Sequence, residues 1–291
     1  MLANLFAVIY SLIMKLITNN AELMAHIPNT INSVKGETAL FDKIAVHLAH
    51  AEAWVEQYIT SPQVLTAIAT RPAGDELRKE LCRLIVADAL TGAIPMLDLV
   101  FTPNGFAVTQ TSNLAPASKQ RVDRLIGAMQ GHRNCTLHCA LDLLPLAKGW
   151  CDTPQGRFFG ESLFPNIDLA MLIPSQERDH WQLFLKLRLS AIAIEFSLGE
   201  EFFSAEQLEA WRDRSLRRTM TDADKVVVHR IRHQVVECLN DKPVNARRMA
   251  DLVNYIRQRP EDFPEWHRSA TAKLFTPPIF RNTKNSPGYF F

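Results

Sequence analysis

The stretch Ile94–Leu125, IPMLDLVFTPNGFAVTQTSNLAPASKQRVDRL, decides the fold, because a helical repeat of apolar residues stops at its start and resumes at its end. Between these points Leu97, Leu99 and Phe101 alternate. Pro103-Asn104-Gly105 then joins a fixed φ to residues tolerant of positive φ, and Phe106 and Val108 alternate on the return. The pattern predicts a β-hairpin over 97–110 set between two helices. Pro116 suits the first turn of the second helix, and Ser118 suits a later cap. A two-stranded ribbon is marginal alone in water, so flanking helices or another chain must hold it.

Upstream, an Asn pair precedes a short helix over 21–26. Phe41, Ile44, Leu48, Ala51, Val55 and Ile59 recur at threes and fours over 38–59, Ser61-Pro62 starts another short helix, and 75–92 is helical again. Downstream, 118–146 reads as one long helix, with Gly127 and Gly131 weakening its middle and Pro145 ending it. Gly149, Pro154, Gly156, Gly160, Pro165 and Pro174 mark 149–174 as a linker. A second helical block follows over 177–203, 205–212, 222–239 and 244–257. Its first helix is so apolar (Trp181, Phe184, Leu185, Leu187, Leu189, Ile192, Ile194, Phe196) that it should be packed on several sides.

The fold class that results is mainly α: helical bundles with an inserted β-hairpin and an extended C-terminal arm. The expected parts are an apolar extension at 1–14, a helical domain with the hairpin at 15–148, the linker, a second helical domain at 175–260, and an arm at 261–291. Helical period fades in that arm while aromatics accumulate, which suits a strap ordered by docking on its own chain or on a neighbour. LFDKIAVHLAHAEAWVEQYITSPQVLTAI (40–68) resembles LFLKLRLSAIAIEFSLGEEFFSAEQLEAW (183–211) in pattern. An internal duplication and a chance likeness of two amphipathic stretches both account for that.

The run LDLVFTPNGFAVTQTSNLAPASKQRVDRL and the ending FPEWHRSATAKLFTPPIFRNTKNSPGYFF resemble a family of uncharacterised proteins encoded in phages and prophages of Bacteroides-type bacteria among virion-assembly genes. The family is similar to helical head-tail connectors. The resemblance implies a structural, non-enzymatic subunit of a homo-oligomeric ring between portal and tail proteins. Such a subunit is located in the virion, and in the host cytoplasm during assembly, with DNA passing through the lumen. The segments expected to meet neighbours carry Phe101, Asn104, Gly105 and Phe106 in the hairpin and Phe275, Phe280, Tyr289, Phe290 and Phe291 in the arm.

Bulk composition adds exclusions. A net charge of +1 over 291 residues argues against a general polyanion binder. Leu2–Met14 is apolar but too short to span a bilayer, and it lacks the marks of a secretion signal, so no membrane partner is expected. Five irregularly spaced cysteines read as reduced thiols. His229 and His233 share a helix face with Glu237 at a zinc-like spacing, but Arg230 stands where a zincin has its glutamate. His132, Cys135 and Cys139 share another face without a second ligand cluster, and buried thiols beside Leu137 and Leu141 fit better. Neither set reads as a metal site, and no catalytic constellation or cofactor motif occurs. Between Arg212 and Arg259 twelve Lys and Arg face six Asp and Glu. That excess, with Arg214, Arg217, Arg218, Arg247 and Arg248 as candidate contacts, suits DNA in a ring lumen or an acidic neighbour, and it supports an alternative reading as a DNA-binding or regulatory helical protein. Scattered helix angles favour a solvated surface instead.

Overall fold

The computed structural model describes residues 14–27, 38–97, 99–102, 105–108 and 118–275, and between 98 and 117 it describes backbone only. The described residues are mainly helical and fall into two compact units, residues 1–189 with 215–219 and residues 190–214 with 220–291. The first unit holds α1 (Asn20–His26), α2 (Leu40–Tyr58), α3 (Pro62–Ala69), α4 (Glu76–Ala93), α5 (Lys119–Leu143), α6 (Pro154–Gly160), α7 (Asp168–Leu172) and the start of α8 (His180–Leu198). The second holds the rest of α8, most of α9 (Ala205–Leu216), then α10 (Asp222–Leu239), α11 (Ala246–Arg257), α12 (Pro264–Arg268) and α13 (Ala270–Leu274).

Several helices start where a short polar side chain takes an orphan amide. Asn19 Oδ1 accepts from Glu22 N–H at 3.0 Å, Ser61 Oγ from Val64 N–H at 3.3 Å, and Asp75 Oδ1 from Arg78 N–H at 2.9 Å. Thr221 and Asp224 form a reciprocal capping box on α10. The core of the first unit packs α2 on α4 and α4 on α5, burying Phe41, Ile44, Leu48 and Val55 with Leu81, Leu84, Ile85, Leu137 and Leu141. Two buried charges tie in distant chain. Glu52 accepts the Lys15 N–H at 2.6 Å and the Leu16 N–H at 3.1 Å, which seats Leu16 and Ile17 in the core. Arg133 lies over the Trp54 ring, 4.8 Å from its centroid, and pairs with Asp88 and, at 3.0 Å, with Asp179. A buried cation needs such partners, since desolvation outweighs a single imperfect pair.

Between α4 and α5 the backbone of Leu99–Thr102 runs antiparallel to Gly105–Val108, with Leu99 opposite Val108 and Thr102 opposite Gly105. This is a local ladder of four residues a side; helix alone sets the class. Ser118 is the N-cap of α5, and the helix continues to Leu143 through Gly127 and Gly131. Pro116 lies outside the described residues.

Three expectations need correction. Residues 149–174 are packed rather than a linker. Trp150, Phe159, Leu163, Phe164 and Ile167 are fully buried there, because Pro154 opens α6, with Thr153 as its cap, instead of breaking the chain. The apolar helix α8 is not covered all round: Leu189 is 71% exposed and Phe196 52% exposed. The arm does not begin at 261. Residues 264–274 form α12 and α13, and Phe263 and Trp266 are buried in the second unit.

Candidate interaction surfaces

The basic residues do not form a free stripe. In the second unit Arg214 binds Asp224 at 3.2 Å and Glu265 at 2.7 Å, and Arg248 binds Glu237 at 2.9 Å. In the first unit Arg217 binds Asp152 at 2.7 Å, and Arg218 binds both the side chain and the carbonyl of Asp142. The hydrogen bond from Arg217 holds the Asp152 carboxyl below its usual range. Arg247 has no ion pair among the described residues and is exposed. Four of the five candidate arginines are therefore engaged by acids, and for Arg214, Arg217 and Arg218 a partner lies 51, 65 and 76 residues away, outside the stretch whose charges were counted.

His229 and His233 line an open groove of about 410 Å³ on the second unit, with Arg230, Gln234, Arg248, Met249, Asp251 and Leu252. Glu237 lies 3.6 Å from His233 Nδ1 but also takes Arg248 and, at 3.8 Å, Lys242. Among the described residues no three His, Cys, Asp or Glu side chains gather as a metal-binding group. The thiols on α5 depart from the buried placement expected of them: Cys135 is exposed and Cys139 half-buried. Burial, then the neighbouring Cys135, raises the Cys139 pKa.

Sequence reading missed an aromatic cluster in the first unit. Trp54 meets Trp181 edge-on at 5.5 Å, Trp181 lies 6.3 Å from Phe158 and from Phe159, and Phe184 stacks on Phe159 at 5.9 Å. At its rim, Tyr58, Phe158, Trp181 and Leu185 line an apolar groove of about 260 Å³ with Gln57, Pro154 and Gln155. The signal was present as an aromatic excess in the supposed linker, but helical period could not show which rings meet.

Of the residues expected to meet neighbours, Phe275 packs within its own unit, 6.4 Å from the Phe202 ring and 6.5 Å from Trp266. Gly105 contributes backbone to the antiparallel ladder. The side chains of Phe101 and Phe106, and Asn104, Phe280, Tyr289, Phe290 and Phe291 altogether, lie outside what is described. At the roots of both segments large apolar side chains face solvent: Met96 is 48% exposed, Leu97 41% and Leu274 81%.

No described helix is long and apolar enough to cross a membrane. No curated protein and no solved structure matches the chain. Residues 27–160, less than half of the chain, are similar to a family described as Family of unknown function (DUF6712).

Proposed function

We propose that the chain is a structural subunit of a phage or prophage particle, a head-tail connector or adaptor. It forms a homo-oligomeric ring between portal and tail and has no catalytic role. In this reading the inserted β-hairpin at 97–110 and the extended arm toward Phe291 engage neighbouring subunits or the next virion component, and DNA passes through the lumen. The observation that carries the reading is the exposure of Met96 and Leu97 beside the excursion after α4 and of Leu274 at the end of α13. Exposed apolar side chains are stabilised when a partner covers them, and a two-stranded ladder accepts another chain readily at its edges.

The alternative, a DNA-binding or regulatory helical protein, needs cations free to meet phosphates. The pairing of Arg214, Arg217, Arg218 and Arg248 with acids works against it. Sedimentation equilibrium at micromolar concentration tests the reading. A mass several times the 33.0 kDa of one chain is expected, and a strict monomer at every concentration would oppose it.

A further inference from the structure

Residues 40–68 and 183–211 follow one plan position by position. The Trp150 indole donates to the Ile59 carbonyl at 2.8 Å, two residues before Ser61, and the Trp266 indole donates to the Phe202 carbonyl at 2.9 Å, two residues before Ser204. Both serines have positive φ, 137° and 67°, and both cap the next helix, accepting from Val64 N–H at 3.3 Å and Gln207 N–H at 3.2 Å. Counted from Leu40 and Leu183, the buried carboxylates Glu52 and Glu195 coincide as well. Positive φ outside glycine is uncommon, so its recurrence at the same count fixes the match.

The match is an internal control on what the plan requires at its surface. Ala53, Gln57, Tyr58, Gln63 and Thr66 are exposed in the first segment, and the matching positions are exposed in the second, where they hold Phe196, Glu200, Glu201, Glu206 and Glu209. An aromatic ring and four carboxylates thus stand where the same backbone is satisfied by neutral side chains. Phe196 is 52% exposed and lies about one helical turn before Glu200. Glu200, Glu201 and Glu206 have no ion pair among the described residues. Glu209 reaches Arg212 at 4.0 Å, but that guanidinium already serves the buried Glu195 at 2.8 Å.

On the same unit, α10 and α11 line the groove of about 410 Å³. Met249 and Leu252, 1% and 0% exposed, give it an apolar floor, and His229, Arg230 and His233 stand on its α10 side. Arg230 is exposed and has no ion pair among the described residues, and neither has Arg247, exposed in the first turn of α11. Of the nearby acids, Glu237 is occupied by Arg248 at 2.9 Å and Lys242 at 3.8 Å, which leaves Asp251 as the opposing charge.

We infer that this groove receives the acidic edge of a second copy of the chain, with Phe196 over Met249 and Leu252 and with Glu200 and Glu201 against Arg230 and Arg247. Opposite charges on two different surfaces of one unit make the contact head-to-tail, the kind that closes into a ring. An apolar ring flanked by carboxylates fits both the floor and the rim of the groove. A phosphate backbone would leave the floor uncovered and would face Asp251. The inference rests on the ring reading and gives the ring a second contact, needed beside the one made by the excursion after α4.

Charge reversal in the full chain tests this by sedimentation, with circular dichroism to confirm that each variant keeps its helices. One variant carries Glu200→Lys with Glu201→Lys, a second carries Arg230→Glu with Arg247→Glu, and a third carries all four changes. Each pair alone should raise the concentration at which half the chains are assembled by about 100-fold, because like charges then meet, and the third variant should return to the assembly of the unchanged chain. Assembly indifferent to either pair, or no recovery when both are combined, would overturn the inference. Short duplex DNA held by the unchanged chain and released by the Arg230→Glu, Arg247→Glu variant would overturn it too, since nucleic acid would then occupy the groove. The two readings fail differently: an oligomer that ignores these charges removes this contact and leaves the ring, whereas a strict monomer of the unchanged chain removes both.

Discussion

Replacing Asp224 by alanine probes a buried group of the second unit that accepts from three partners. Its carboxylate is fully buried and accepts from Trp211 Nε1 at 2.9 Å, Arg214 at 3.2 Å and Thr221 N–H at 3.0 Å. The substitution leaves the Trp211 indole N–H without an acceptor, which costs about 1–3 kcal/mol in a dry site. It also removes half of the capping box on α10, worth roughly 0.5–2 kcal/mol. Arg214 keeps Glu265 at 2.7 Å, so the penalty for an abandoned buried charge is avoided. The components overlap, and the expected loss is about 2–4 kcal/mol. Urea unfolding followed by far-UV circular dichroism and by tryptophan fluorescence measures it. Asp224→Asn, which keeps an oxygen for Trp211, should lose less than alanine. A loss below about 1 kcal/mol for alanine, or equal losses for both variants, would refute the claim that the indole bond and cap hold α9 to α10.

Two further outcomes follow from titratable groups in the first unit. Burial raises the Glu52 carboxyl above its usual pKa, against the opposing hydrogen bonds from Lys15 and Leu16. The folded state therefore binds the proton more tightly than the unfolded one, and stability at this site falls as pH rises from the ordinary carboxylate range through the raised value. Glu52→Gln removes that slope, so the wild-type midpoint should gain on the variant's as pH is lowered from 7 toward 5; parallel pH profiles would contradict this. Burial also pushes the Cys82 thiol up to about 12, while Cys135 is exposed. A thiol reagent at pH 8 should modify Cys135 within minutes and Cys82 only on unfolding; early labelling of Cys82, read by peptide mass, would count against its burial.

Most helices were legible in the sequence because their apolar residues keep a helical period and their starts carry Asn19, Ser61, Asp75, Thr221 and Asn245 in capping positions. The segment 149–174 was not, since glycine and proline signal a break wherever they stand, and only packing shows that Pro154 is a first-turn proline under a buried Trp150. The supposed thiol burial on α5 failed for a related reason: Leu137 is buried, but Cys135 lies around the helix on the solvent side. The basic excess after Arg212 was a true count with a misleading implication. Asp142 and Asp152, which take up Arg218 and Arg217, precede them by 76 and 65 residues. The likeness of residues 40–68 to 183–211 was visible as a pattern. The paired indole bonds and positive-φ serines that give it weight appear only in three dimensions.

The central claim is that the excursion after α4 joins copies of this chain, and native mass spectrometry of the full chain beside its Phe101→Ser, Phe106→Ser variant addresses it most directly. The account predicts one closed oligomer of defined copy number for the unchanged chain and a 33.0 kDa species for the variant, with the same helical content by circular dichroism. A single-chain mass for both, or the same oligomer for both, would contradict it.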